Sequence, residues 1–301
     1  MKNVQIAAPV TTLEGKELLP AGAIVNHDII RQLIETNPDT YKNVPLFGYD
    51  TVASDIRIFM STPPYDTIYS NKKDTKHLLS LLEKVVVIQP VLGSLDYFKT
   101  NDFHTYRHTL MVYVLSCFMG CFIIPDFENH LMDIAGAPTH DFGKINVPLS
   151  VLKKQGPLNS AEFQQIRHHS IAGYCLLCYY YKSLRHPSAI LARDHHERLN
   201  GQGYPQGITD ISTMVELVII SDVYDALLSP REYRLEAFDN RSALETITAM
   251  AKNREISWDV VKLLSSQNRA GKPDYKTLQV SLAIRGHSPE KNNYGIIDDG
   301  G

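Results

Sequence analysis

The sequence lacks the features by which nucleic-acid-binding, exported and membrane-spanning proteins are usually known. Its 30 basic residues are outnumbered by 33 acidic ones, for a formal net charge of −3, whereas chains that bind DNA or RNA usually carry a basic excess. The opening residues hold no apolar segment of signal-peptide length. The most apolar run, from Leu110 to Pro125, falls short of the roughly 20 residues that a membrane span requires. We therefore expect a cytoplasmic protein with no membrane span and no DNA or RNA polymer as a partner, and a buried helix at the apolar run.

Cysteine is also scarce, with four residues in 301. Cys175 and Cys178 have the C-x-x-C spacing of redox and zinc motifs, but neither a second such pair nor a glycine-rich knuckle accompanies them. This disfavours a thiolate metal site. We expect Cys117, Cys121, Cys175 and Cys178 to be reduced and buried in apolar helices.

The pattern of apolar residues divides the chain into two unlike parts. Up to about residue 72, short apolar runs are separated by Gly15, Pro20 and Gly22, which is typical of small strands and turns. Residues 61–74, with paired prolines, are typical of a linker. Beyond Asp74 the apolar period is almost wholly helical. We predict a mainly α protein with a small N-terminal α+β domain of sensory or regulatory role at 1–72, a linker or connecting helix at 73–100, a helical domain at 101–290 and a flexible tail at 291–301.

The helical part is predicted to form a bundle with short connections. Its helices are expected at about 105–124, 126–141, 160–182, 186–198, 212–228 and 240–264.

Histidine, by contrast, is abundant, with 12 residues, and it is the commonest metal ligand in proteins. Metal-competent side chains recur along the predicted helices at intervals of roughly thirty residues, at His108, His140, Asp141, His169, His195, His196 and Asp222. This interval is about one helix out and back, so each helix of a bundle can bring its polar residue to one interior point. Asp222 follows Val218 by one helical turn on an apolar stripe, where a cation would offset the cost of burying a carboxylate.

Each of these residues taken alone has an ordinary structural explanation, because single buried histidines and helical aspartates usually belong to hydrogen-bonded networks. The whole set would need a separate explanation for every helix, which favours one metal site. Imidazole and carboxylate without thiolate suit iron, manganese or zinc. His168 lies on a different side of its helix and is interpreted as a bystander. Asp225 either orients a ligand histidine or has a plain structural role.

The motifs "HDFGK" from His140, "HHERLNGQGYPQG" from His195 and "SDVYDALLSPREYR" from Ser221 resemble those of the HD-GYP subfamily of HD-domain phosphohydrolases, which are bacterial cyclic di-GMP phosphodiesterases. The resemblance covers residues 101–290 and implies an HD-superfamily helical bundle that holds two or three divalent transition metals, commonly iron or manganese. It implies that the seven residues above are the metal ligands, with Asp141 as the bridge. It also implies that Lys144 contacts a substrate phosphate and that Tyr204, Arg231 and Arg234 belong to the substrate site.

The function implied is hydrolysis of cyclic di-GMP to linear pGpG, and in part on to GMP, by a hydroxide held between two ions. Asp141 and Lys144 would be the catalytic residues. Two alternatives stay open, a catalytically weak receptor or signalling scaffold for cyclic di-GMP, and an enzyme for another cyclic dinucleotide or a nucleotide monophosphate. A homodimer or a signalling protein partner also stays open.

The sequence departs from the family pattern at several positions. Asn200 replaces the usual aspartate, the segment from His196 to Asp222 is short, and Pro138 should kink the chain just before His140. His104 stands where some members carry an acidic residue that helps to hold a third metal. A neutral imidazole offers one acceptor nitrogen, so we expect two ions.

Overall fold

The computed structural model describes residues 1–134, 136–229, 236–287, 289 and 298. The α-helices in this part of the chain are α1 His27–Glu35, α2 Val52–Met60, α3 Tyr65–Ile68, α4 Lys72–Leu82, α5 Gln89–Asn101, α6 Phe103–Ile123, α7 Leu131–Ile134, α8 Leu149–Leu152, α9 Ser160–Tyr181, α10 Pro187–Asp194, α11 Thr213–Leu228, α12 Asn240–Lys252 and α13 Trp258–Gln267. Three 3-10 helices lie at Phe127–His130, Ala137–Thr139 and Phe142–Asn146. The strands are β1 Val4–Gln5, β2 Val10–Thr11, β3 Glu17–Leu19, β4 Ile24–Val25, β5 Asn43–Pro45 and β6 Val86–Ile88. The prediction of a mainly α protein is confirmed.

Helix α6 forms the centre of the bundle and packs against α5 and α11. Nearly every side chain from Thr105 to Gly120 is buried, as expected of a helix that is apolar on all sides. Among the described residues it is the one helix whose length and composition would also suit a membrane span. Its side chains are instead packed inside the protein, as predicted for the apolar run.

The ends of several helices differ from the predicted ones. The segment expected as one helix at 126–141 is broken into α7 and two 3-10 helices, and Pro138 lies in the second of these, Ala137–Thr139. The helix expected at 186–198 ends at Asp194, so that His195 and His196 follow it. The helix expected at 240–264 is two helices, because the chain turns through Arg254 at a φ of 60°.

The N-terminal strands form three two-stranded antiparallel pairs, β1 with β4, β2 with β3, and β5 with β6. The backbone N–H of Thr11 donates to Asn146 Oδ1 at 2.7 Å, and Asn146 Nδ2 donates to the Thr11 carbonyl at 2.8 Å. Strand β2 is therefore hydrogen-bonded to the 3-10 helix Phe142–Asn146.

The segment 61–74, which was expected to be a linker, contains α3, and Tyr65, Ile68 and Tyr69 are buried in the core. Residues 73–100 form most of α4, β6 and most of α5, and β6 pairs with β5. The division into domains stays a prediction. Of the tail at 291–301, only residue 298 is described.

Candidate metal centre

The structure brings the seven metal-competent side chains to one place in the bundle. His108 is in the second turn of α6, His169 is near the middle of α9 and Asp222 is in α11. His140 and Asp141 lie between two 3-10 helices, and His195 and His196 directly follow α10. Five of the seven are buried, and His196 and Asp222 are half-buried.

These side chains form two groups of possible ligands. His169, His195 and His196 make one group, and His108, His140 and Asp222 make the other, with the ligand atoms of each group within 4.8 Å of one another. We call them the imidazole group and the mixed group.

Asp141 lies between the two groups. Its Oδ1 is 3.4 Å from His169 Nε2 in the imidazole group. Its Oδ2 is 3.3 Å from His140 Nε2 and 3.7 Å from His108 Nε2 in the mixed group. Because one oxygen faces each group, Asp141 has the geometry that a bridging carboxylate requires.

Backbone carbonyls determine which nitrogen of three histidines carries the proton. His140 Nδ1 is 2.9 Å from the Ala137 carbonyl oxygen, and His169 Nδ1 is 2.5 Å from that of Ile166. His195 Nδ1 is 3.0 Å from the carbonyl oxygen of Ala192. A carbonyl only accepts, so each Nδ1 donates and each neutral ring directs the lone pair of Nε2 into the site.

These Nε2 lone pairs meet each other at close range. His169 Nε2 lies 3.1 Å from His195 Nε2, and neither nitrogen of the neutral rings has a proton to share. His140 Nε2 is buried and has no hydrogen-bond partner in the described part of the chain. Converging acceptor atoms of this kind are satisfied by a cation, so the residues fit a metal site of nitrogen and oxygen ligands.

Burial keeps the histidines of the imidazole group neutral. It lowers the pKa of His169 to about 4, against the opposing charge of Asp141. Burial and the neighbouring histidines hold the pKa values of His195 and His196 well below the usual range. At neutral pH these rings are therefore available as ligands.

Asp141 stays ionised for a different reason. Burial acts to raise its pKa, but the positive charge of Lys144 and the neighbouring His140 ring hold that pKa well below the usual range. Lys144 Nζ donates to Asp141 Oδ2 at 2.6 Å. Lys144 is half-buried and is thus a fixed cation beside the possible ligands.

His108 is oriented by a side chain and not by a backbone carbonyl. Its Nδ1 lies 2.7 Å from Asp225 Oδ2, while its Nε2 lies 3.1 Å from Asp222 Oδ1. Asp225 also accepts hydrogen bonds from Arg107 Nη1 and from the Tyr65 hydroxyl. Two roles for Asp225 were left open above, and the structure places it against a possible ligand. The parts that Arg107 and Tyr65 play in this network were not predicted.

The glycine-rich loop after His196 lies against the site. The Tyr204 ring stacks on the His196 ring, with centroids 4.6 Å apart and an interplanar angle of 19°. The guanidinium of Arg167, which sequence reasoning also missed, lies 4.3 Å from the Tyr204 centroid on the ring. Tyr204 is thus held between a possible ligand and a cation.

Glu197 is hydrogen-bonded to the backbone of the same loop. Its carboxylate accepts hydrogen bonds from the backbone N–H groups of Gln206, Gly207 and Ile208 at 2.6, 3.2 and 3.1 Å. A Cβ on Gly203 would lie 2.4 Å from the Arg198 nitrogen. Glycine is therefore required there for a close backbone approach.

The remaining positions singled out in the sequence have different outcomes. Asn200 Oδ1 accepts from the Gln202 N–H at 3.0 Å, a turn that aspartate would also form. His104 is half-buried, with its ring centroid 6.2 Å from that of His108, and His168 is buried outside both ligand groups. Arg231 and Arg234 lie outside the described residues.

Gly143 allows a close backbone contact beside the candidate site. It lies inside the 3-10 helix Phe142–Asn146, which packs on α9. A Cβ at this position would lie 1.9 Å from the His169 carbonyl oxygen. Glycine is needed because two backbones touch beside Asp141 and His169.

Parts of the chain are similar to known proteins. Residues 125–256 match the HD domain family. The chain is 41% identical over 124 residues to the cyclic di-GMP phosphodiesterase response regulator RpfG of Xanthomonas campestris, which is 40% of this chain and 32% of that protein. It is 34% identical over 189 residues to the cyclic di-GMP phosphodiesterase PA4108 of Pseudomonas aeruginosa, which is 60% of this chain and 44% of that protein. It is 38% identical over 97 residues to the 3'3'-cGAMP-specific phosphodiesterase 3 of Vibrio cholerae, which is 32% of this chain and 21% of that protein.

The matched segments span less than half the length of each of these relatives. Residues 125–256 are thus similar to the HD domain family, and the chain is similar over part of its length to proteins named as cyclic dinucleotide phosphodiesterases. The mainly helical fold expected from the sequence is present, and the segment similar to the HD domain family lies within its helical part.

Proposed function

We propose that this protein is a cytoplasmic, metal-dependent phosphodiesterase that hydrolyses cyclic di-GMP to linear pGpG. The proposed ligands of two iron or manganese ions are His108, His140, His169, His195, His196 and Asp222, with Asp141 bridging. When bound, two such ions polarise a phosphodiester and activate water for in-line attack.

The side chains of the protein would position the two ions and supply charge next to the substrate phosphate. Asp141, held ionised beside Lys144, joins the two ligand groups and fixes their separation. Lys144 carries a positive charge next to that bridge, where it would stabilise negative charge that develops on phosphate oxygens. Tyr204, stacked on His196, would offer its ring edge and hydroxyl to the substrate.

One observation carries the proposal: two ligand groups of different composition share a single buried carboxylate, each oxygen of which faces one group. A receptor needs no such arrangement, because binding a nucleotide does not require paired metal positions on either side of one carboxylate. The relatives named as cyclic di-GMP phosphodiesterases support the substrate. Because another relative is named as specific for 3'3'-cGAMP, that dinucleotide is the main alternative substrate.

The proposed number of metals also suggests the product. His104 can serve one ion at most, so we propose a two-metal site that releases pGpG as the main product and GMP as a minor one.

The test is incubation of manganese-loaded and iron-loaded protein with cyclic di-GMP or 3'3'-cGAMP, followed by chromatography of the products. The expected result is conversion of cyclic di-GMP to pGpG, with Asp141→Asn as the inactive control. Binding of cyclic di-GMP without turnover would favour the receptor. Faster turnover of 3'3'-cGAMP would reassign the substrate and keep the reaction.

A further inference from the structure

The mixed group is joined by hydrogen bonds to a residue far away in the sequence. The hydroxyl of Tyr65, in α3, donates to Asp225 Oδ1 at 2.5 Å across 160 positions of the chain. Asp225 Oδ2 lies 2.7 Å from His108 Nδ1. Tyr65 and His108 are 1% exposed, and Asp225 is fully buried, so bulk water does not compete for these bonds.

Asp225 has a small, fixed set of donors. Arg107 Nη1 lies 2.8 Å from its Oδ1 and 3.1 Å from its Oδ2, and Ser229 Oγ lies 3.3 Å from Oδ2. Tyr65 and Arg107 can only donate to this carboxylate, so Asp225 is the acceptor that His108 Nδ1 faces.

This arrangement makes His108 different from His140, His169 and His195. Those three rings are oriented by carbonyl oxygens within four residues of themselves, and they remain oriented as long as their own segments are folded. His108 depends on a side chain of α11, which in turn depends on a side chain of α3. Among these four histidines, only His108, which belongs to the mixed group, is oriented by a side chain.

We propose that Tyr65 is a positioning residue for the metal position formed by His108, His140 and Asp222. Its hydroxyl holds Asp225 Oδ1, so that Oδ2 faces His108 Nδ1 and Nε2 faces the metal position. The N-terminal segment that carries α3 thereby sets the metal affinity of one of two positions, and the imidazole group is independent of it. This inference rests on the proposed two-metal site.

The variant that tests it is Tyr65→Phe, which removes one oxygen and keeps the ring. Tyr69→Phe is the matched control. The Tyr69 ring lies 6.3 Å from that of Tyr65 at an interplanar angle of 17°, and its buried hydroxyl has no hydrogen-bond partner among the described residues. Both substitutions therefore delete a buried hydroxyl from the same cluster, and only one of them touches Asp225.

The measurement is titration of metal-free protein with Mn²⁺ alone, read by calorimetry and by electron paramagnetic resonance. Loss of a group that orients a ligand typically weakens metal binding about 10- to 100-fold, so Tyr65→Phe should bind one ion as the parent does and the second at least about tenfold more weakly. Its spectrum should change from that of a coupled pair to that of a single ion at equal loading. Tyr69→Phe should match the parent, and Asp225→Asn should weaken the same position as Tyr65→Phe. Urea unfolding of each metal-free variant checks that it is folded.

The inference is overturned if folded Tyr65→Phe binds both ions as tightly as the parent does. It is also overturned if Tyr69→Phe loses the same metal affinity as Tyr65→Phe and both variants lose it at both positions. A parent protein that binds fewer than two ions would instead contradict the proposed two-metal site. The number of ions that the parent protein binds therefore distinguishes failure of the inference on Tyr65 from failure of the proposed two-metal site, without any measurement of turnover.

Discussion

At the scale of single residues, the direction of each ring nitrogen determines the chemistry of the site. A neutral histidine is a ligand only through its unprotonated nitrogen. Carbonyl oxygens select Nε2 in His140, His169 and His195, and Asp225 selects Nε2 in His108. The Nε2 atoms of His108, His140 and His169 lie 3.7, 3.3 and 3.4 Å from Asp141 oxygens, so this carboxylate is in reach of both groups.

Asp141→Ala should lose most of the metal from both positions, because each oxygen of this carboxylate faces one ligand group. Metal analysis of the purified variant after dialysis checks this. An unchanged metal content would remove Asp141 from its assigned role as the bridge.

Lys144→Ala should keep the metal and lose turnover of cyclic di-GMP. A fixed charge that stabilises a transition state is typically worth about 10²–10³ in kcat, so a loss of this size is expected with metal content near that of the parent. Lys153→Ala removes an exposed lysine that donates to the Asn101 carbonyl and is the matched control. Parental turnover by Lys144→Ala would show that its contact with Asp141 is only structural.

At the scale of elements, close backbone contacts place the ligands. The 3-10 helix Phe142–Asn146 packs on α9 through Gly143, and this contact puts Asp141 beside His169. The sequence predicted the kink near Pro138, because proline cannot donate a helical hydrogen bond. It did not predict the contact at Gly143, because a glycine pattern alone does not tell a helix stop from a close approach.

Gly143→Ala should destabilise the protein and lower its metal content. The new Cβ would lie 1.9 Å from the His169 carbonyl oxygen and 2.5 Å from the Gly173 nitrogen, so two backbone segments must separate. A cost of about 1–3 kcal/mol in the free energy of unfolding is typical of forced overpacking. Urea unfolding measures it, together with metal analysis.

Gly48→Ala is the control for this change. Its new Cβ would meet only Pro45 atoms, at 3.9 Å, which is an ordinary contact distance. Equal loss of stability in both variants would mean that the contact of Gly143 with α9 is not the cause.

At the scale of the whole molecule, the sequence was enough to predict the residues of the candidate metal centre, but not the side chains that orient them. His108, His140, His169 and Asp222 were predicted because metal-competent side chains recur at intervals of roughly thirty residues, about one helix out and back. Tyr65 could not be found in this way, because nothing in a polar, proline-containing segment indicates a hydrogen bond to a residue 160 positions later. The break between α12 and α13 was missed for a related reason, since Arg254 adopts a positive φ without the usual glycine.

The pH dependence of stability also belongs to the whole molecule, because buried histidines away from the metal centre contribute to it. Burial lowers the pKa of His168 to about 4 and that of His186 to about 4, against an ordinary value of about 6.5 in an unfolded chain. Between these values the unfolded chain binds more protons than the folded one. The contribution of these groups to stability is therefore complete above pH 6.5 and is lost as the pH falls toward 4.

Metal-free protein should accordingly show a falling free energy of unfolding between pH 7.5 and pH 5, measured by urea denaturation in a chelator. His186→Asn should make this decline shallower, because asparagine does not titrate there and can still cap α10, where His186 Nδ1 now accepts from the Ser188 N–H at 3.3 Å. His130→Asn is the matched control, since His130 is exposed and its replacement should leave the slope unchanged. If His186→Asn and the parent lose stability with the same slope, the buried imidazole of His186 is not a source of the acid sensitivity.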